Sequence, residues 1–597
     1  MLTPIHRVVC GIFGIVGRRS EGDLACMREM GDRLAHRGPD GEGFYACPLG
    51  LMGMRRLAII DAGAGAQPAS NEDGAIRLTL NGEIYNFKEL RERLARAGHA
   101  FTSAGDTETI AHAYEEYGTD LVHRLRGMFA FALFDRRRER AFFARDRFGK
   151  KPLYYAERDG RLVYASEIKA IFADPAVPRE LDREALSHYF TFKHIPSPRT
   201  AFQGVRQLEP GTFAVYEDGK LSVHRYWRPS FAGDARIGEE EAQVRLIALL
   251  RDAVGARMEA SDVPMGVFLS GGVDSSLIAA LAAERGGAPL KTFSLGYVPR
   301  VAHKNDVDFA REIAARFGTE HHEVTISAST IADECVSALS ALDEPFGGAI
   351  SSFWLARAVG ARVKVALCGD GADELFGSYA AHRRAALLPP NSAQGLLGAW
   401  RARFYAFTDE EKRALLTDDA RGTEDSAGLL QTFFAQASSE DRVNAVLEVD
   451  CRTLLPDQVL VYADRLSMAH SLEVRSPFLD RAVSEFAGSL PGTYKVVPGQ
   501  TKRLLRSVAR HFLPAAVVDR PKEGFVLPLD AWLSKELVPL MREAFSPSWM
   551  RHGFFHTAPV ERLMKEHAER IRDHTYKIWT LFAFQVWHRL VLPRVIR

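Results

Sequence analysis

The sequence predicts two domains of different class in tandem, α+β followed by α/β, closed by a long helical segment. Three observations carry this. Residues 10 to about 225 are rich in short apolar segments separated by glycine turns, with two amphipathic helical stretches between them. From about residue 241 strand-like and helix-like segments alternate, the pattern of a parallel sheet. The length of 597 residues exceeds one ordinary domain, and 46% hydrophobic with 26% charged residues is a globular balance.

In the first part the strand candidates are CGIFGIVG, GLMGMRRLAIID, AIRLTLNGEIYN, MFAFALFD, AFFARDRFG and PLYYAERDGRLVYASE. Several alternate or carry aromatic and β-branched residues, with Asp-Gly or Asn-Gly turns between them. The helical stretches are 23–34 and 87–97. Residues 226–240 are polar, with glycines and an acidic cluster, and read as a linker between domains at 10–225 and 241–597. The second part opens with a helix over 241–258, then a buried strand 265–269, a glycine turn and a helix 275–283. A strand at 291–295, a helix at 307–317 and a strand at 363–367 continue the alternation. Beyond about 385 the pattern is helical and charge-laced, with Trp-containing apolar stripes near 577–590.

Composition excludes several classes. Lys+Arg total 77 against 76 Asp+Glu, a net charge of +1, so there is no global basic field for a nucleic-acid partner. No apolar run reaches 18 residues, so no membrane span is expected, and the amino terminus lacks the apolar stretch of a signal peptide. The cysteines at 10, 26, 47, 335, 368 and 451 form no CxxC pair, which fits a reduced, cytoplasmic compartment.

A first set of residues suits the splitting of an amide. That chemistry needs a thiolate, a base, oxyanion donors and charges to hold a zwitterion. Cys10, in C-G-I-F-G-I-V-G, is a core residue if taken alone. Arg56, in R-L-A-I-I-D, offers a fork for an α-carboxylate. In N-G-E-I-Y-N, the Asn81 amide and the Gly82 N–H can donate to an oxyanion, while Glu83 and Asp106 can receive an ammonium. H-R-G-P-D precedes them at 36–40. No histidine stands as an obvious base, but an α-amine at Cys10, with a pKa of about 7.7–8.0, can serve. Together and in this order these segments resemble the class II glutamine amidotransferase domain, an N-terminal-nucleophile sandwich. The resemblance covers residue 10 to about 205, including R-D-R-F-G-K-K-P-L-Y-Y and Y-A-S-E-I-K-A-I. It implies Cys10 as nucleophile, Asn81 and Gly82 as oxyanion donors, and Arg56, Leu57, Ile59, Glu83 and Asp106 around glutamine.

A second set follows strand-like segments and opens helices. F-L-S-G-G-V-D-S-S at 268–276 combines serine hydroxyls, glycine N–H groups and a helix start, the parts of an anion cradle, without Walker A spacing. V-A-L-C-G-D-G-A-D-E-L-F-G-S-Y at 365–379 repeats the arrangement. Asp274 and Asp373 can then meet at the carboxyl ends of adjacent strands and serve Mg²⁺ beside a triphosphate. S-G-G-V-D-S-S resembles the PP-motif of ATP pyrophosphatases. With F-S-L-G, A-D-R-L-S-M-A-H-S-L-E-V-R-S-P-F-L-D, T-K-R-L-L-R and R-P-K-E-G-F, nearly the whole chain resembles the glutamine-hydrolysing asparagine synthetases. The resemblance implies that Leu269, Leu295, Cys368 and Gly369 line adenine and ribose, and that Ser270, Gly272, Asp274 and Ser275 hold pyrophosphate. It places Mg²⁺ on Asp274 and Asp373 and gives Lys522 the charge of departing pyrophosphate. Asp370 falls where some synthetases carry a Glu that serves the acyl-adenylate step. Lys502 is a second candidate for the role of Lys522, behind it because a lysine at a helix start is more often on a solvated face.

The function implied is ATP-dependent amide synthesis: glutamine yields ammonia, which crosses the protein to an adenylated carboxylate. Aspartate, a sugar acid or a cell-envelope precursor remain open as acceptors, and so does a glutamine-sensing or glutaminase protein with a regulatory ATP domain. The partners are small molecules, with a homodimer as one option.

A peptide nitrogen has no basic lone pair, so the nine residues before Cys10 are expected to be absent from the active protein. Either translation starts at Val9, whose GTG codon can initiate in bacteria, or a leader is cleaved. Intact-mass or N-terminal sequencing decides: a Met1 terminus in fully glutamine-active enzyme refutes both and demands another base.

Overall fold

The structure, a computed structural model, describes residues 10–38, 40–56, 59–61, 65–286, 289–298, 306–389, 392–520 and 528–596. Residues 1–9, Leu57 and Lys522 therefore lie outside the described residues.

The first part stacks two six-stranded antiparallel sheets. One runs Val205–Gln207, Tyr154–Arg158, Arg161–Ala165, Gly11–Gly17, Gly50–Arg56, Gly41–Cys47. The other runs Lys220–Arg225, Thr212–Glu217, Arg140–Arg145, Gly127–Asp135, Ile76–Ile84, Ala69–Ser70. Strand alternation sends Ile12, Val16, Met52 and Met54 inward to meet Ala130, Ala132 and Phe134 of the opposite sheet. Phe13 and Ile15 face the other way, onto Met27 and Met30 of the helix Asp23–Arg33. The outer face of the second sheet, through Leu78, Leu80, Phe129 and Phe131, packs on the helices Phe87–Arg96 and Asp106–Tyr117. The result is an α-β-β-α sandwich. Both faces of the central strands are covered, which is why they read as nearly continuous apolar runs.

The helix Asp106–Tyr117 adds to the two helical stretches expected between these strands. Its residues from Asp106 to Tyr114 are all buried, polar ones included. With no dry face set against a wet one, it carries little amphipathic signal.

The second part is built on a five-stranded parallel sheet in the order Glu320–Ser327, Lys291–Val298, Met265–Phe268, Val365–Leu367, Glu473–Arg475. Two of these strands went unread in the sequence. Glu320–Ser327 is a polar edge strand, and Glu473–Arg475 has only three residues between helices. Chain order along the sheet is third, second, first, fourth, fifth. The direction of winding reverses between Met265–Phe268 and Val365–Leu367, and an open sheet leaves its binding crevice at that reversal. Both motif loops leave these two strands at their carboxyl ends. Gly271, at φ +68°, gives its turn a close approach: a Cβ there would lie 2.6 Å from the Asp306 carbonyl oxygen.

Residues 226–238 form neither helix nor strand, but they are tied down. Phe231 is buried in the second core, and the N–H groups of Gly233 and Ala235 donate to the carbonyls of Gly488 and Ser489. Trp579, Phe582 and Trp587 near the carboxyl end share one core with Tyr189, Phe190 and Phe202 of the first part.

Candidate active sites

Cys10 is half-buried and precedes the strand Gly11–Gly17. Its carbonyl oxygen accepts from Arg37 Nε at 3.2 Å. Ser166 Oγ accepts from the Ile12 N–H at 3.0 Å and from Asn81 Nδ2 at 3.4 Å. This hydroxyl brings Asn81, on the opposite sheet, beside the start of the Cys10 strand. Asn81 Oδ1 is buried and makes no hydrogen bond. Gly82 has φ +137°, and a Cβ there would meet the Met128 carbonyl oxygen at 2.0 Å, so only glycine suits this point.

Glu83 and Asp106 come together as expected. Both are buried, and Asp106 Oδ2 accepts from the Ile84 N–H at 2.9 Å. Desolvation, reinforced by the charge of Asp106, raises the Glu83 carboxyl well above the usual range. Burial likewise pushes Asp106 up to about 6. Arg475, 3.3 Å from Glu83 Oε1, offsets part of the pair's charge, and the buried Glu83 Oε2, which makes no hydrogen bond, suits an ammonium. Arg56 turns toward residues 60–61, with Nη2 donating to the carbonyl oxygens of Asp61 at 2.7 Å and Ile60 at 3.4 Å. Ile59 is buried with Val365 and Met468 of the second part, and Cys10 packs against the same group.

At the sheet reversal the eight residues expected around ATP line one cleft of about 300 Å³, together with Asp370, Asp373 and Lys502. The first loop is closed by its own serines: the Ser270 N–H donates to Ser275 Oγ at 3.1 Å, and Gly272 caps the helix Val273–Ala283. The loops touch, since a Cβ on Gly369 would lie 3.0 Å from Asp274 Cβ. Asp274 and Asp373 converge on a single ammonium, that of Lys502. Lys502, the second lysine candidate of the sequence, is 2% exposed and so lies inside the cleft rather than on a solvated face. Its φ of +53° turns it inward just before the helix Arg503–Ala509. Asp370 accepts from Cys368 Sγ at 3.0 Å and lies 3.9 Å from Nζ of Lys150, a buried lysine of the first part. Burial, with Asp373 alongside, pushes Glu374 up to about 8.

The two sites share a wall of buried ion pairs. Arg37 joins Glu167 at 2.8 Å to Asp464 at 3.0 Å, and Lys151 lies 3.5 Å from both Asp464 and Glu473. Arg475 touches both sides. Its guanidinium lies 3.3 Å from Glu83, while its carbonyl oxygen accepts from the Cys368 N–H at 2.9 Å.

The asparagine synthase family profile matches residues 245–589, and that of the glutamine amidotransferase domain matches residues 9–227. The chain belongs to the asparagine synthase family. Among its relatives, asparagine synthetase [glutamine-hydrolyzing] 1 of Bacillus subtilis is 33% identical across 98% of this chain and 97% of that protein. A putative asparagine synthetase [glutamine-hydrolyzing] of Mycobacterium tuberculosis is 34% identical across 98% of this chain and 96% of that protein. Asparagine synthetase [glutamine-hydrolyzing] 3 of Bacillus subtilis is 31% identical across 87% of each.

In this member of the family, Arg37, Lys150, Ser166 and Arg475 stand in motifs the sequence displayed, yet none read as part of a site. Their signal was weak because each acts on a residue distant in the chain. Arg37 and Asp464, for instance, are 427 positions apart.

Proposed function

We propose that the chain is a glutamine-dependent asparagine synthetase acting in the cytoplasm. The observation that carries this reading is Arg475, one residue in contact with both the glutamine-type and the nucleotide-type site. In this reading ammonia made at one site crosses the shared wall to the other without release to bulk water, which would protonate it.

The Cys10 α-amine takes the thiol proton, and the thiolate attacks the glutamine amide carbon. The proton passes to the amide nitrogen as ammonia leaves and a thioester forms. Water then releases glutamate. Asn81 Nδ2 and the Gly82 N–H donate to the oxyanion, Glu83 and Asp106 take the ammonium, and the Arg56 fork takes the α-carboxylate, with Leu57 and Ile59 beside it. At the second site a carboxylate oxygen of aspartate attacks the α-phosphorus of ATP and pyrophosphate leaves. Ammonia attacks the acyl carbon and AMP leaves. Leu269, Leu295, Cys368 and Gly369 line adenine and ribose; Ser270, Gly272, Asp274 and Ser275 hold the phosphates; Asp370 and Lys522 assist the adenylate step and the departing charge. Two carboxylates drawn to one cation suit a divalent ion, so Asp274 and Asp373 would hold Mg²⁺. Bound there, Mg²⁺ supplies charge neutralisation to the phosphates. Lys193 and Arg403 line the same cleft and suit a dicarboxylic acceptor; burial, with Arg403 nearby, pushes Lys193 down to about 7.

The test is pyrophosphate release screened across aspartate, sugar acids and other carboxylates, with glutamine as nitrogen donor. Aspartate is expected to trigger release and to become asparagine. Release with another carboxylate and none with aspartate overturns the acceptor. Neither pyrophosphate nor AMP formed with any carboxylate, while glutamine is still hydrolysed, would favour a regulatory ATP domain.

Arg56→Lys tests the glutamine end. A point charge cannot reproduce a bidentate fork, so the KM for glutamine should rise about 10- to 100-fold, the loss of one charged hydrogen bond. Synthesis from ammonium salts should be nearly untouched. Unchanged glutamine kinetics would make Arg56 a mere support of the 60–61 backbone.

A further inference from the structure

The first domain carries a second group of ligand-type side chains, away from Cys10. Glu72 follows the edge strand Ala69–Ser70, His99 follows the helix Phe87–Arg96, and His112 and Glu115 lie one turn apart on the helix Asp106–Tyr117. One ligand atom from each falls within 4.8 Å of all the others. His99 Nδ1 is 3.2 Å from Glu72 Oε1 and 3.8 Å from Glu115 Oε2. His112 Nδ1 is 3.3 Å from Glu72 Oε2 and 3.8 Å from Glu115 Oε2. A tetrahedral zinc site with bonds of about 2.0–2.1 Å has ligand–ligand edges of about 3.3 Å. The four histidine–carboxylate spacings, 3.2–3.8 Å, lie at or slightly beyond that edge, with Glu72 turning one oxygen to each histidine.

Independent of this clustering, His112 is fully buried and neither ring nitrogen makes a hydrogen bond. Glu115 Oε2 is buried in the same state, aimed at both Nδ1 atoms. Its other oxygen is already taken, accepting from Arg137 Nη1 and Asn71 Nδ2, each at 2.9 Å. The far ring nitrogens also have outer carboxylates: His99 Nε2 lies 3.1 Å from Glu116 Oε1, and His112 Nε2 lies 3.6 Å from Glu108 Oε1. A metal at the inner nitrogens would replace the His99 Nδ1–Glu72 hydrogen bond, leave the outer nitrogen of His99 on Glu116, and place Glu108 within reach of that of His112.

We propose that His99, His112, Glu72 and Glu115 form a structural zinc site. Two imidazoles and two carboxylates neutralise a divalent ion, and mixed N/O ligation at tetrahedral spacing suits Zn²⁺ rather than Mg²⁺ or Ca²⁺. The helix that supplies His112 and Glu115 begins at Asp106, so the metal would hold the element that carries one wall of the glutamine site.

The test uses the full-length protein, freed of metal with a chelator and titrated with Zn²⁺ and then Co²⁺. One zinc per chain is expected at about micromolar affinity or tighter, with a rise in Tm on binding. Cobalt should give the visible bands of a tetrahedral site without a thiolate charge-transfer band, which separates this cluster from Cys10. His99→Gln, at a partly exposed position, should keep the fold and weaken zinc at least about 100-fold. Glu72→Gln should do likewise. Zinc binding unchanged in both variants, a thiolate or octahedral cobalt spectrum, or no stoichiometric binding to the wild-type chain overturns the proposal.

Discussion

Alanine at Cys10 is expected to abolish glutamine hydrolysis while synthesis from ammonium salts continues. The thiolate forms the covalent bond, and no neighbouring group can replace it, so glutamate release should fall by at least about 10³-fold. The fold around the residue should survive. Arg37 holds the Cys10 carbonyl rather than its sulfur, and Ser166 holds the Ile12 N–H, so neither contact depends on the side chain. Glutamate release and amide formation with ammonium chloride, measured on one preparation, give the result. If both fall together in a folded protein, the two-site reading is wrong.

The converse is expected at the sheet reversal. Asp274→Asn and Asp373→Asn should each lower pyrophosphate release by about 10²–10³-fold, the scale on which one preorganised charge or donor acts in a buried site. Glutaminase activity should be spared. Asparagine keeps the shape of the carboxylate, so the Ser270–Ser275 closure and the contact between the loops should persist. What is lost is half the negative charge that gathers Lys502 and would hold Mg²⁺. Radiometric or coupled pyrophosphate assays beside glutamate release check both arms. Normal Mg²⁺-ATP turnover in Asp274→Asn would sink the assignment.

Much of each site was legible because its chemistry is local. The S-G-G-V-D-S-S and C-G-D-G-A-D-E loops each announce a strand, a tight turn and a helix start within ten residues. Gly82 and Gly271 stand where the chain must adopt positive φ, and Asn81, Gly82 and Glu83 are consecutive. Other parts were hidden for identifiable reasons. The edge strand Glu320–Ser327 is too polar to stand out, and the helix Asp106–Tyr117 is too evenly buried to show a stripe. Lys502 stood behind Lys522 because a helix-start lysine is usually solvated, whereas here its backbone is left-handed and its side chain is buried.

By itself, then, the sequence determined the two domain classes, their order and the residue types at each site. Those properties rest on periodicity and turn chemistry, which act over a few residues. Only the tertiary structure decided which of these residues meet. Arg37 with Asp464, Glu83 with Arg475, and Lys502 with Asp274 and Asp373 join segments more than a hundred positions apart, as do the contacts of Cys10 with the Val365 strand. Periodicity reports that a side chain is buried but not against what. The partner is set by how two cores pack together, and the wall between the two sites exists only once they have.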